Sequence, residues 1–97
     1  MPYDMTFVLF VADPDKYARC RAEIAPLLQS AGGAFRYDFE IARTLKTEAG
    51  HDINRVFLLR FPDRAAKERF FADPRYREIR ARLFEPAVRG MTIVTER

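Results

Sequence analysis

The sequence holds one cysteine and one histidine. Each scarcity excludes something. A single thiol, Cys20, cannot close an intrachain disulfide or build a thiolate cluster for a metal. With a single imidazole, any histidine acid–base chemistry or haem ligation must run through His51. No apolar run approaches the roughly 18 residues that would suggest a membrane span. The stretch "MPYDMTFVLF" has no basic leading segment and no small-residue cleavage site, which predicts a cytoplasmic protein without a signal peptide. A phosphate-cradling glycine loop, metal-ligand spacing and a nucleophile triad are all missing, so the sequence predicts neither a metal nor another cofactor. Lysine is scarce too: Lys16, Lys46 and Lys67 are the only three, against a net charge of +3. The arginines are mixed with acids, as in "RAAKER" and "YREIRARLFE". That pattern describes a solvated helix surface, whereas a nucleic-acid stripe would be clustered and less balanced.

What remains is enough for one domain over residues 1–97 and no second core. "MTFVLFVA" (5–12) is a short apolar, β-branched and aromatic run, and reads as a buried strand. Asp13 and Pro14 follow. The Asp carboxylate accepts from a free first-turn amide, and proline suits the first helical position. Tyr17, Cys20, Ile24, Leu27, Leu28 and Ala31 then recur at spacings of three and four, an amphipathic helix. Pro26 should kink or restart it, and Gly32–Gly33 should stop it with a left-handed turn.

"AFRYDFEIARTL" (34–45) alternates with period two, and "INRVFLLRFP" (53–62) reads as its hairpin partner across the polar loop "KTEAGHD". Asp63 caps "RAAKERFF", and Asp73–Pro74 caps "RYREIRARLF". "GMTIVTE" (90–96) is a last strand. "ADP" thus occurs twice as a reused helix start and not as a duplicated catalytic site.

The order β-α-β-β-α-β predicts an α+β, ferredoxin-like sandwich: a four-stranded antiparallel sheet, order 4-1-3-2, with the helices on one face. The other face would expose Val56, Leu58 and part of the run Phe7–Phe10. A second copy of the chain is the simplest cover, so a homodimer is expected. Parity along the strands assigns Phe35, Tyr37, Phe39, Phe57, Leu59 and Phe61 to the helix side. Arg36, Asp38, Glu40 and Arg60 then face the open side.

At this level the sequence resembles a known family. "ADPDKY", "IAPLLQSAGGAF", "RVFLLRFPD" and "FFADPRYREIR" together resemble the domain of unknown function 1330 family, within the dimeric α/β-barrel superfamily, over roughly residues 5 to 95. The resemblance implies two ferredoxin-like subunits packed sheet to sheet into a barrel. It implies no reaction, because that family has none assigned. The loop "LKTEAGHD" departs from the family pattern, so no ligand contact is carried over there.

Among candidate side chains, Arg36, Asp38, Glu40 and Arg60 stand out. Read functionally, an arginine binds an anionic or enol-type ligand and Asp38 or Glu40 acts as a base. Read structurally, they are ion pairs across the sheet or the dimer, and the need to pair buried charges alone accounts for them. Tyr17 and Tyr76 read as core residues whose hydroxyls could hold a ligand at a barrel mouth. His51 reads as a solvated loop residue, and Cys20 as a small buried hydrophobe. The expected function is a small-molecule-binding or structural module. The alternative is a cofactor-independent isomerase or oxygenase on a small organic substrate. RNA binding is the more remote alternative: "INRVFLLRF" lacks the glycine-containing motif of RNA-recognition domains.

Overall fold

The computed structural model describes all of residues 1–97. Strand β1 (Tyr3–Val11) is followed by α1 (Pro14–Ser30), β2 (Ala34–Glu40), β3 (Arg55–Phe61), α2 (Arg64–Ala72) and α3 (Pro74–Ile79). A π-helical segment (Arg80–Phe84) and a last turn, α4 (Glu85–Ala87), lead into β4 (Val88–Glu96). The sheet order is β2-β3-β1-β4, the expected 4-1-3-2 order, and every pairing is antiparallel. No helix is long and apolar enough to cross a membrane.

The core follows from strict alternation on the two central strands. Met5, Phe7, Leu9 and Val11 of β1 are buried with Phe57, Leu59 and Phe61 of β3, all toward the helices. The helices answer with Tyr17, Cys20, Ile24 and Leu28 from α1, Ala66 and Phe70 from α2, Ile79 from α3, and Leu83. Burying each large side chain contributes about 1.5–3 kcal/mol. Phe7 and Phe57, paired in register, stack at 4.7 Å between ring centroids.

The helix starts are built as the sequence predicts. Asp13 accepts from the amide of Lys16, Asp63 from that of Ala66, and Asp73 from that of Arg75. The end of α1 also follows expectation. Gly32 has φ +76, and the amides of Gly32 and Gly33 reach back to the carbonyls of Gln29 and Leu28. Those two reverse bonds are the glycine stop that satisfies end carbonyls. Pro26, by contrast, does not restart the helix, which is continuous from Pro14 to Ser30. Pro26 and Ala22 both lie on the exposed side, so the carbonyl that loses its partner faces water.

Two expectations about β2 need correction. The strand ends at Glu40 rather than near residue 45, and β3 begins at Arg55. Asn54 diverts the chain: its amide donates to the carbonyl of Leu9, and its side chain bonds both the amide and the carbonyl of Val11. More consequential is a register shift between Phe35 and Tyr37. Phe35 stands opposite Leu59, but Tyr37 stands opposite Leu58 and Asp38 opposite Phe57. Such a bulge inserts one residue, here Arg36, and reverses the faces of everything beyond it. Tyr37 and Phe39 therefore lie on the open face, about half exposed and stacked on each other. Asp38 and Glu40 turn to the helix side.

Candidate functional site

The bulge divides the predicted charged group in two. Arg60 remains on the open face, where it grips Asp4 with Nε at 2.7 Å and Nη2 at 2.8 Å; Arg36 adds a longer contact to Asp4, 3.9 Å. Asp4 and Arg60 are direct cross-strand partners. Asp38 joins a different cluster. Arg55 holds both its oxygens, at 2.7 and 2.9 Å, and Arg21 of α1 donates to it at 2.8 Å. Glu40 stands opposite Arg55 in the register but closes no ion pair and stays exposed. So the four charges do not face a common space, and no charged side chain is fully buried within the chain.

The Arg21–Asp38–Arg55 cluster borders a cavity between the sheet and the helices. Its volume is about 40 Å³, by this measure room for about three waters. The walls are almost wholly apolar. Phe7 and Phe57 form the sheet side; Tyr17, Cys20 and Ile24 come from α1; Phe70, Tyr76 and Phe84 close the far side. Arg21 is the one charged residue in the lining, and its guanidinium carbon lies 3.5 Å from the ring centroid of Phe35. The π-helical segment matters here, because its last residue, Phe84, packs 6.3 Å from Tyr17 across the cavity wall.

Tyr17 carries the most informative polar atom. The residue is 2 % exposed and its hydroxyl has no hydrogen-bond partner within the protein. An unpaired buried hydroxyl costs about 1–3 kcal/mol. Arg55 lies 5.0 Å and Arg21 6.0 Å from the Tyr17 ring centroid. Burial raises the Tyr17 pKa, with the two guanidiniums opposing the shift. Tyr76 is half-buried on the same cavity, and burial raises its pKa as well. Burial pushes the Cys20 thiol up to about 11. The hydrogen bonds from Arg55, helped less strongly by one from Arg21, hold the Asp38 carboxyl below its ordinary range against the opposing effect of burial.

His51 is elsewhere. The connection between β2 and β3 folds over the open side, and His51 Nε2 meets the Thr92 hydroxyl at 2.9 Å while Nδ1 donates to the carbonyl of Asp52. Its ring packs onto Gly90, where a Cβ would come within 2.5 Å of the imidazole. The ring is thus docked on β4 and is not free in solvent. No three His, Cys, Asp or Glu side chains converge as metal ligands would.

Tyr17 and Tyr76 are therefore the two candidates that reach the cavity, and Asp38 borders it through Arg21. Arg36 and Arg60 lie on the opposite face. Sequence reasoning missed Arg21 and Arg55. Arg21 sits one helical turn after Tyr17, beside the apolar stripe, and that spacing was the available clue.

The family described as Domain of unknown function (DUF1330) matches residues 5–96. The chain belongs to that family. No curated protein matches the sequence. Among solved structures, a protein of unknown function from Rhodopseudomonas palustris superposes on this DUF1330 chain with a TM-score of 0.81 at 19% identity, covering 96% of this chain and 78% of the other. A dimeric ferredoxin-like protein of unknown function from Jannaschia gives 0.69 at 16%, covering 100% and 98%. A dabb family protein with a ferredoxin-like fold from Mesorhizobium loti gives 0.63 at 16%, covering 96% and 92%. At these identities the likeness establishes the ferredoxin-like fold of the DUF1330 chain.

Proposed function

We propose that this DUF1330 chain is a homodimeric small-molecule-binding module whose ligand occupies the cavity between α1 and the sheet. The observation that carries the reading is the Tyr17 hydroxyl, buried and unpartnered in an apolar wall. A molecule of three or four heavy atoms with one polar group would satisfy it and still fit a space of about 40 Å³. Binding is favoured over acid–base chemistry by the state of the nearby groups. A general base works best with a pKa near neutrality. Here Asp38 is shifted down, while Cys20 and Tyr17 are shifted up.

The dimer reading rests on the open face. Val8, Phe10, Val56 and Leu58 are half-buried there, and Tyr37 and Phe39 stand about half exposed beside them. A second copy is the natural cover, and the Jannaschia relative is described as dimeric. The open face then serves assembly and leaves the helix side for the ligand.

A thermal-shift screen of small aliphatic alcohols of three or four heavy atoms, a size the cavity admits, tests the binding reading. Ligand that binds only the folded state raises the unfolding temperature with concentration. The wild type should respond, and Cys20→Met, which extends a side chain into the cavity, should not. Equal response of both proteins, or none from the wild type, would contradict the assignment. Light scattering on the eluting peak tests the dimer, and a monomer at micromolar concentration would contradict it.

A further inference from the structure

We infer that two copies of the chain interlock through the β2–β3 connection: Leu45 of each subunit seats in an apolar groove on the other, and Lys46 meets the partner's Glu48. This rests on the homodimer reading above. The first observation is a groove on the open face, between that connection and strands β1 and β4. Its volume is about 370 Å³. Val8, Ile53, Ile93 and Val94 line it, with Glu48 and Ala49 on the loop side. The pairing of β4 with β1 slips between Thr6 and Phe7, which leaves Val94 as an extra residue. A bulge re-aims side chains locally. Here Ile93 and Val94, neighbours in sequence, both reach the groove. They are 39% and 56% exposed, so their own chain leaves them uncovered.

The second observation is Leu45. It is 83% exposed, more than any other large apolar side chain after Met1. A lone exposed leucine in general needs no partner, but this one stands on a loop that is held. The Thr44 hydroxyl beside it bonds both the amide and the carbonyl of Ile53, at 2.7 Å each. The Ala49 amide donates to the Thr47 hydroxyl, and His51 is pinned to Thr92. The loop is therefore set before docking, with Leu45 turned away from its own chain. A pre-set side chain costs less entropy to dock.

The third observation identifies the occupant as a second copy. Leu45 and the loop side of the groove lie within a few residues of each other. In a two-fold pair the same surface meets itself, so each subunit supplies one knob and one groove. Adjacent features engage reciprocally when the axis passes between them. The charges fit the same arrangement. Lys46 and Glu48 are both exposed, and neither forms an ion pair within the chain. Seating Leu45 brings Lys46 to the rim of the opposite groove, where the partner's Glu48 stands.

Sedimentation of the wild type, Leu45→Ala and Val94→Trp tests this. The first variant removes the knob, and the second fills the groove. Both side chains are exposed, so the folded subunit should keep its circular dichroism. Each variant should weaken the dimer about a hundredfold, about tenfold for each of two seats. Lys46→Glu should weaken it by about fivefold, and adding Glu48→Lys should restore it. A wild-type monomer would overturn the dimer reading and this one together. A wild-type dimer whose dissociation constant is unchanged in Leu45→Ala would overturn the interlock and leave the dimer standing. Weakening by Leu45→Ala but not by Val94→Trp would overturn the groove as the seat. Failure of the charge swap to restore the dimer would remove Lys46 and Glu48 from the contact.

Discussion

Asp38 and Arg55 meet edge to edge, with Arg55 Nε 2.7 Å and Nη2 2.9 Å from the two carboxylate oxygens. They sit on neighbouring strands, on the face that the helices cover, and Arg21 brings α1 into the same contact. The pair therefore ties the edge strand β2 both to β3 and to a helix. With the Asp38 side chain 27% exposed, its worth lies between that of a surface pair and a buried one.

Asp38→Asn should lower stability by about 1–2 kcal/mol near neutral pH, on that intermediate footing. The cost should depend on pH in a defined direction. Asp38 in the folded chain has a lowered pKa, so the unfolded chain takes up its proton first as acid is added. The stabilisation is complete above the ordinary aspartate value of about 4 and fades as pH falls through the lower folded value. Urea denaturation of both proteins across the acid range checks this. A stability gap that stays constant well below about pH 4 would contradict it.

Asp73→Ala should cost about 1 kcal/mol, and Asp73→Asn much less, because the Arg75 amide needs an acceptor and not a charge. For a domain of this size that is a drop of about 4–8 °C in melting temperature. Equal losses in the two variants would show that the ion pair with Arg75, and not the cap, sets the effect.

Tyr17→Phe should leave stability unchanged or raise it, by up to about 1–3 kcal/mol, since the hydroxyl it removes is buried without a partner. The same variant should bind a small alcohol such as isopropanol more weakly. A loss of stability of about 1 kcal/mol or more would mean that the hydroxyl holds the fold together, and the main support for the binding reading would go.

Arg60→Ala separates the two faces. Within one chain the Arg60 and Asp4 side chains are 41% and 32% exposed, so the monomer should lose less than about 1 kcal/mol. Under a second sheet the same pair would be desolvated, and losing one partner should weaken the dimer by about tenfold or more. An unchanged dissociation constant in sedimentation would place this part of the open face outside the interface.

Most of the fold was legible in the sequence because the central strands obey a period of two and the helices announce themselves with Asp and Pro. Asp13, Asp63 and Asp73 all cap as expected. The site was less legible for one reason above others. "FRYDFEI" alternates aromatic and charged residues, and a bulge at Arg36 leaves that alternation intact on paper while turning Asp38 and Phe39 to opposite faces from those assigned. Aromatic content gave no warning, since Tyr37 and Phe39 suit a core and an interface equally. The cluster at the cavity also unites residues from α1, β2 and β3, a proximity that no local pattern encodes. The π-helical segment had no turn residue to mark it: "RARLF" reads as ordinary helix.

The most direct test of the account is a map of where a small alcohol touches the protein. Amide chemical shifts of isotope-labelled protein, followed during titration with isopropanol, supply it. The account predicts that the shifted amides cluster at Tyr17, Arg21, Phe35, Asp38 and Arg55, around the cavity between α1 and the sheet. Shifts confined to the open face, at Val8, Tyr37, Leu58 and Thr92, would contradict it.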